Sequence, residues 1–212
     1  MSIDSRDLRN CLGHFATGVT VVTCYTEDGH LHGATVNAFT AVSLDPPLVL
    51  VSVNRDSRMS GFLEGTPFVV NVLHLDQRDL ALHFAGRPCV DDVPWENDAS
   101  RGAPRLLGCL ASISCTPWRS YDGGDHVLFL GEVQEFERTA GAPLLFHTGE
   151  FHGLYREPEP LPWDGSGDAP AAVAWIAEAA SLLRRHLDDV PVGSGRTRQS
   201  PSRPTMKEGV NP

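Results

Sequence analysis

The sequence from residue 33 to residue 58 reads GATVNAFTAVSLDPPLVLVSVNRDSR. Its first part, residues 34–44, mixes β-branched with small polar side chains, which is typical of a half-exposed strand. Residues 48–53 are a short apolar run, which predicts a buried strand. Residues 45–47, Asp-Pro-Pro, separate the two runs and predict a turn. The stretch therefore predicts two neighbouring strands joined by a tight connection.

Polar and small residues cluster where these two strands end. They are Thr35, Asn37 and Ala38 on the first strand, and Ser52, Asn54, Ser57 and Arg58 at and after the second. Hydroxyl, amide and helix-start N–H groups are what a phosphate requires, and Arg55 or Arg58 would supply charge. Small residues around Asn37 would leave backbone amides open to a planar ligand. The plainer alternative, that these residues face water or form a turn and a helix cap, stays open on the residues alone.

The remainder of the chain predicts a mainly β fold. Further strands are expected over residues 19–25, 68–73, 109–118, 126–137 and 144–146. Short helices are expected over residues 4–16, from Ser57 or Ser60 to residue 63, and over 76–86, with a long irregular loop over 87–107. About seven strands without βαβ alternation indicate a small, mostly antiparallel barrel with short peripheral helices.

The C-terminal part of the chain has a different composition. Residues 157–168 are rich first in proline and then in glycine, which predicts a linker after a barrel domain of residues 1–156. Residues 169–189 place apolar side chains three and four apart, which predicts an extra C-terminal amphipathic helix. Residues 190–212, rich in Pro, Ser, Gly and Arg, predict a disordered tail.

The chain carries a net charge of −10, from 17 basic and 27 acidic side chains. That balance excludes non-specific binding to nucleic acid or to an anionic membrane, because both need a basic surface. Five cysteines without a Cys-x-x-Cys pair predict reduced thiols in a cytoplasmic protein. The N-terminus lacks the features of a signal peptide, and no apolar run has membrane-spanning length, which favours the same location.

Familiar cofactor and hydrolase motifs are missing from the sequence. It contains no Gly-x-Gly-x-x-Gly, P-loop, His-Glu-x-x-His or Gly-x-Ser-x-Gly, so a Rossmann, P-loop, metalloprotease or α/β-hydrolase site is not supported. We expect no metal site, and we expect His30 and His32, beside a hairpin turn, to be solvated. His126 follows a Gly-Gly-Asp turn at the start of a strand. A ligand contact at a barrel rim and a solvated turn histidine explain it equally well.

Seven short motifs follow one another along residues 8–156. They are Gly18-Val-Thr-Val-Val-Thr, Gly33-Ala-Thr-Val-Asn-Ala-Phe, Ser43-Leu-Asp-Pro-Pro-Leu-Val-Leu-Val-Ser-Val, Phe68-Val-Val-Asn-Val-Leu, Phe84-Ala85, Gly124-Asp-His and Pro143-Leu-Leu-Phe-His. In this order they resemble the short-chain flavin reductases that supply two-component monooxygenases. The resemblance implies an antiparallel split β-barrel, a homodimer with the flavin near the subunit interface, and NAD(P)H-dependent reduction of FMN or FAD.

The resemblance also implies roles for residues of these motifs. The isoalloxazine ring of the flavin would be lined by Thr35, Val36, Asn37 and Ala38. Its ribityl and phosphate groups would be held by Ser52, Val53, Asn54, Ser57 and Arg58. Phe84 and Ala85 would close the pocket, and His126, the expected catalytic residue, would contact the nicotinamide nucleotide or the flavin edge. Asn37-Ala38 stands where many relatives have serines, and Phe146 and Phe151 where tyrosines are common, so the choice between FMN and FAD stays open.

The implied reaction is hydride transfer from C4 of NADH or NADPH to N5 of the flavin, with the reduced flavin passed to a separate monooxygenase. The protein would stack the two rings and would need no dedicated general acid or base. One alternative is a flavoprotein that keeps FMN and acts on its own organic substrate. Another is a non-catalytic flavin- or haem-binding barrel. Oxidation of a pyridoxal-type phosphate would need a strongly basic phosphate clamp, which the sequence does not offer.

Overall fold

The computed structural model describes residues 3–96 and 102–154, all within one compact unit, Met1–Arg156. These residues are mainly strand with a few short helices, which confirms the predicted fold class. The predicted linker, C-terminal helix and tail (157–212) lie outside the described residues. Of the helices that are described, none has both the length and the apolar character needed to cross a bilayer.

Seven strands form one antiparallel sheet in the order β3-β2-β6-β9-β10-β5-β4. They are β2 Thr20–Tyr25, β3 Leu31–Val36, β4 Phe39–Leu44, β5 Pro47–Asn54, β6 Phe68–Val72, β9 Ala111–Gly123 and β10 His126–Arg138. A smaller sheet joins β1 Thr17–Gly18, β11 Leu144–His147 and β12 Glu150–Gly153, and a two-stranded one joins β7 Trp95–Glu96 and β8 Arg105–Leu106. The described part of the chain thus has twelve strands rather than about seven, because β1, β7, β8 and β12 are too short to show a pattern and because residues 34–44 are divided between β3 and β4.

The two edge strands of the large sheet are consecutive in the chain. β3 pairs with β2 and β4 pairs with β5, yet only Asn37 and Ala38 separate Val36 from Phe39. Because a residue spans at most about 3.6 Å, the facing ends of these strands lie within about 11 Å of each other. The sheet is therefore curled into a barrel with an open seam between β3 and β4. The prediction of one strand over residues 34–44 is wrong, because its halves pair with different neighbours.

Helix α2, Arg58–Leu63, packs against the strands of this barrel and begins at the predicted N-cap. The side chain of Ser57 accepts a hydrogen bond from a backbone N–H of the first turn. Met59 and Leu63 are almost fully buried and share one apolar cluster with Val51 and Phe68 of the sheet. Each such side chain stabilises the fold by about 1.5–3 kcal/mol, so α2 serves as part of the barrel core.

A second apolar cluster lies on the other face of β2. Its buried members are Val19, Val21, Leu73, Ala81, Leu106, Cys109 and Leu144. They come from the small sheets and from α3, Arg78–Phe84, which follows a 3-10 turn at Leu75–Gln77. Strand β2 is consequently buried on both faces, from Thr20 to Cys24.

Asn71 of β6 connects the sheet to the segment that follows residue 101. It is fully buried, and its Nδ2 donates to Val21 O at 2.9 Å and to Thr23 Oγ1 at 3.0 Å. Its Oδ1 accepts from the Leu106 backbone N–H at 2.9 Å, and Thr23 Oγ1 donates to Pro104 O. These bonds satisfy every polar group involved, as a buried network must.

The prediction of an irregular loop over residues 87–107 is therefore wrong for the two short strands β7 and β8. Trp95 pairs with Leu106, and the Arg105 guanidinium, 12% exposed, contacts both Glu96 and Glu137. The sequence shows no period there because each strand has two residues. The long-range bonds to Asn71 and Glu137 fix the backbone instead.

Helix α1, Ser5–Leu12, is shorter than the predicted helix over residues 4–16. Asp4 caps its start and Gly13 ends it, and soon afterwards Thr17 is paired with Phe146 in the small sheet. None of its residues is buried. Its apolar side chains are uncovered within the described residues, with Leu12 65% and the following Phe15 79% exposed.

The five cysteines are all free thiols. Cys24, Cys109 and Cys115 are buried in the two apolar clusters. Burial raises the pKa of Cys24 and of Cys109 to about 11, and that of Cys115 to about 12. Cys11 and Cys89 are exposed.

Replacing Asn71 should destabilise the whole domain. We expect Asn71→Ala to lower the free energy of unfolding by about 2–3 kcal/mol, because the Leu106 N–H would be buried without an acceptor. Urea denaturation measures the loss, and hydrogen exchange at the Leu106 amide should accelerate. Thr40→Ala, on exposed β4, is the control. Equal stability of the two variants would contradict the role given to Asn71.

Candidate functional site

The link between β3 and β4 lies at the open seam of the barrel. Val36 is buried in the core, whereas Asn37 and Ala38 are exposed. The Ala38 carbonyl oxygen accepts a hydrogen bond from the Ser52 N–H at 2.9 Å. The two predicted ligand-binding segments of the opening stretch are thus held against each other. The core position of Val36 leaves only its backbone for a ligand.

The end of β5 and the start of α2 form a tight, self-bonded turn. Asn54 Oδ1 accepts from the Asp56 N–H at 2.8 Å, and Ser57 Oγ donates to Asn54 O at 2.7 Å. The same Ser57 hydroxyl caps α2, so both of its bonding functions are used inside the protein. Val53 is buried. Within the protein itself, Asn54 and Ser57 therefore act as turn and helix-cap residues, which is the plainer of the two sequence-based interpretations.

Two groups of this turn have no hydrogen-bond partner among the described residues, Asn54 Nδ2 and the Arg58 guanidinium. Arg58 is exposed. The pKa of His32 is lowered mainly by burial of its ring and to a smaller extent by the positive charge of Arg58. His32 is half-buried and meets the Phe62 ring edge-on at 4.9 Å. The expectation that His32 is solvated is thus wrong, because α2 packs over it.

The turn between β9 and β10 brings His126 beside the end of β5. His126 lies opposite Asn54 in the register, and only Gly124 and Asp125 form the turn. Arg55 holds this turn in place, since its guanidinium donates to Gly124 O at 3.2 Å and to His126 O at 3.4 Å. Its backbone N–H also donates to Asp125 O at 2.9 Å. Arg55, one of the two arginines expected to supply charge to a phosphate, thus holds the β9–β10 turn against the end of β5 instead.

The His126 side chain is about one-third exposed and is oriented by its neighbour in sequence. Its Nδ1 lies 2.7 Å from Asp125 Oδ1. The hydrogen bond and the charge of the ring hold the pKa of the Asp125 carboxyl below its usual range. This contact fixes Nδ1 and leaves Nε2 as the ring nitrogen for a ligand.

Phe84 and Ala85 lie at the end of α3, where Phe84 packs against the second apolar cluster. The Phe84 ring packs directly over Gly33, where an added Cβ would come within 2.7 Å of it, and meets Trp95 edge-on at 5.6 Å. Thr35 Oγ1 donates to Ala81 O at 2.7 Å, which fastens α3 to β3. The Thr35 hydroxyl is therefore used for packing the helix.

The predicted site residues fall into two groups that meet at the β3–β4 link. One group surrounds the end of β5 and consists of Ala38, Ser52, Asn54, Ser57, Arg58 and His126. The other consists of Thr35, Phe84 and Ala85, which α3 holds against β3. Within the described residues, the two groups are joined only through the chain at Val36 and Asn37.

A pocket of about 620 Å³ beside Asn37 was not predicted. We name it the α1 pocket. Its walls come from α1 and the residues after it, from β1 and from the β11–β12 turn, and include Arg9, His14, Phe15, Thr17, Phe146 and Thr148. No motif in the sequence marks this pocket, and its apolar wall residues Leu12 and Phe15 are recognised only once the fold is known. Within residues 3–96 and 102–154, no three metal-binding side chains cluster.

The family model described as a flavin reductase-like domain matches residues 12–155. The chain belongs to this family. The match contains both site groups and most of the α1 pocket, and the motifs that suggested the resemblance lie within it. The predicted family is therefore confirmed.

Several known proteins resemble this flavin reductase-like chain closely. The FMN reductase (NADH) SmoA of Agrobacterium fabrum is 45% identical over 158 residues, which are 73% of this chain and 88% of the relative. The reductase subunit HsaB of a flavin-dependent monooxygenase of Rhodococcus jostii is 37% identical over 169 residues, 76% of this chain and 85% of the relative.

Among solved structures, the NADH:FAD oxidoreductase SgcE6 of Streptomyces globisporus, in complex with NAD and FAD fragments, superimposes with a TM-score of 0.68. It is 39% identical, and the alignment covers 75% of this chain and 99% of that one. The fold of the described domain is thus that of a flavin reductase.

Removing the His126 ring should change the titration of its neighbour. We expect His126→Ala to return the pKa of the Asp125 carboxyl upward, towards about 4, because the hydrogen bond that favours the ionised form is lost. In the wild type the contact favours the ionised carboxylate and is lost as pH falls through the lowered pKa. Carboxyl NMR titration measures this shift. His152→Ala, at an exposed strand position, should leave Asp125 unchanged; a matching change there would contradict the assignment.

Proposed function

We propose that the chain is an NADH-dependent flavin reductase that reduces FMN or FAD and releases the product to a separate flavin-dependent monooxygenase. The observation that carries this proposal is the open barrel seam, where the exposed Asn37-Ala38 link is bonded to Ser52 inside a flavin reductase-like domain. Relatives named for NADH with FMN or with FAD support the donor and both acceptors. A relative named as a monooxygenase reductase subunit supports the separate partner.

The exposed groups at the seam are of the kinds that would bind the ring and the phosphate of a flavin. The Asn37 side chain and the backbone of the link are open to a planar ring, and Val36, Val53 and Thr35 would contribute only through the backbone or as support. Asn54 Nδ2 and the Arg58 guanidinium are donors suited to a phosphate. Phe84 and Ala85 would bound the site from the α3 side. A bound flavin would supply the electron acceptor for hydride from NADH.

His126 is the proposed catalytic residue at this seam. Asp125 holds its Nδ1, so Nε2 is oriented by the fold before any ligand binds. Such a fixed donor or acceptor can place a nicotinamide nucleotide against the flavin edge without transferring a proton itself.

We also propose a homodimer in the cytoplasm. Leu12, Phe15 and Leu44 are 65%, 79% and 81% exposed, and large exposed apolar side chains support coverage by a second copy. Five free thiols suit a reducing compartment, in which NADH is also available. Light scattering after gel filtration measures the subunit number.

The proposed activity is tested with the purified full-length chain. We expect NADH oxidation, followed at 340 nm, that depends on added FMN or FAD and is slower with NADPH. A yellow protein that keeps FMN through gel filtration and ignores added flavin would instead indicate a flavoprotein with its own substrate. Flavin binding without any NADH oxidation would indicate a non-catalytic barrel.

The role of His126 predicts a selective kinetic defect. We expect His126→Ala to raise the KM for NADH about tenfold, the effect of losing one good hydrogen bond, with flavin affinity changed less than about twofold. Steady-state kinetics and flavin fluorescence titration measure the two quantities. His152→Ala is the matched control and should behave as wild type. An unchanged KM and rate for NADH in His126→Ala would contradict the proposed contact between His126 and the nicotinamide nucleotide.

A further inference from the structure

We propose that Arg55 is a positioning residue for hydride transfer, which acts through His126 by fixing the turn that precedes its ring. The contact of His126 with the nicotinamide nucleotide rests on the proposed function. The Arg55 side chain is bound to backbone carbonyls and to a carboxylate of the β9–β10 turn. Its effect on the reaction is therefore indirect, through the geometry of that turn.

Three consecutive carbonyl groups of the turn accept hydrogen bonds from this one residue. Arg55 Nε donates to Gly124 O at 3.2 Å, and its Nη2 donates to His126 O at 3.4 Å. Its backbone N–H donates to Asp125 O, which lies between them, at 2.9 Å. Bonds to all three oxygens fix the peptide groups of the turn, and with them the direction in which the His126 side chain leaves the strand.

Asp122 joins the same set of bonds from the β9 side of the turn. Its Oδ2 lies 3.3 Å from Arg55 Nη2, and its Oδ1 accepts a hydrogen bond from the Gly124 N–H at 2.8 Å. Gly124 has a φ of 80°, which glycine adopts without steric cost. The guanidinium reaches the carboxylate and both carbonyl groups because its donors point in several fixed directions, which the single ammonium group of lysine cannot reproduce.

The contact between His126 and Asp125 is too exposed to hold the ring by itself. The Asp125 side chain is 88% exposed, and contacts between exposed charged groups are weak because water and salt screen them. The two residues are neighbours in sequence, so their side chains meet only for certain torsions of the backbone between them. Arg55 binds the carbonyl group of each, and thereby keeps Nδ1 on the carboxylate and Nε2 free for a ligand.

Arg55→Lys tests this role, because it keeps the positive charge and the backbone N–H but removes the fork of donors. We expect the pKa of the Asp125 carboxyl to rise towards its ordinary value, since the His126 hydrogen bond that lowers it would form less often. Carboxyl NMR titration of the full-length protein measures this change without substrate or cofactor. Arg119→Lys, at an exposed position of β9, is the matched control and should leave the Asp125 titration unchanged.

Steady-state kinetics with NADH distinguish a positioning residue from one that touches the nucleotide. We expect Arg55→Lys to raise the KM for NADH about threefold, less than removal of the His126 ring does, with kcat changed less than about twofold. Adding Arg55→Lys to His126→Ala should raise the KM no further than His126→Ala alone, because effects that pass through one residue are not additive. The Kd for FMN and FAD, from flavin fluorescence, should stay within about twofold of the wild type.

An unchanged Asp125 titration in Arg55→Lys would overturn the inference. So would a KM in the double variant about threefold above that of His126→Ala, because Arg55 would then contact the nucleotide itself. A loss of flavin affinity in Arg55→Lys would place a flavin phosphate on Arg55 and would overturn it as well. If the wild type does not oxidise NADH, the proposed function fails, whereas the Asp125 titration still decides whether Arg55 positions His126.

Discussion

The structure depends on a geometric constraint at residues 37 and 38. Two residues connect the opposite edges of a seven-stranded sheet, so the sheet has to curl until those edges almost meet. Curling brings the apolar faces of the strands around Met59 and Leu63 of α2 and closes the main core. The same constraint exposes Asn37 and Ala38 at the seam, since a connection that crosses between edges pairs with neither. Residues 37 and 38 thus both close the barrel and leave polar groups exposed at the candidate site.

The sequence carries the local features of this fold but not its long-range pairings. The apolar run of β5 and the Ser57 cap follow from side chains a few residues apart. The break at Asn37 was missed because residues on both sides of it have strand propensity, and only pairing with β2 or with β5 distinguishes them. The two-residue strands β7 and β8 exist because Asn71, distant in sequence, bonds to Leu106.

The sequence predicts the position of a candidate site residue where a short motif fixes the local backbone. His126 follows a turn that fixes the start of β10, and its position opposite Asn54 agrees with a common site. The different tasks of Arg55 and Arg58 were not predictable, because they depend on which arginine reaches the Gly124 turn. The α1 pocket could not be found from the sequence either. Its walls come from three separated segments, which only the pairing of β1 with β11 brings together.

The buried cysteines have a consequence for an enzyme that handles reduced flavin. Free reduced flavin reacts with oxygen to give peroxide, and peroxide attacks the thiolate form of cysteine. Cys24, Cys109 and Cys115 have raised pKa values and are buried, so the barrel interior holds its thiols in the unreactive protonated form. Oxidative damage would fall on the exposed Cys11 and Cys89 instead. The packing that stabilises the barrel also protects it from a by-product of the proposed reaction.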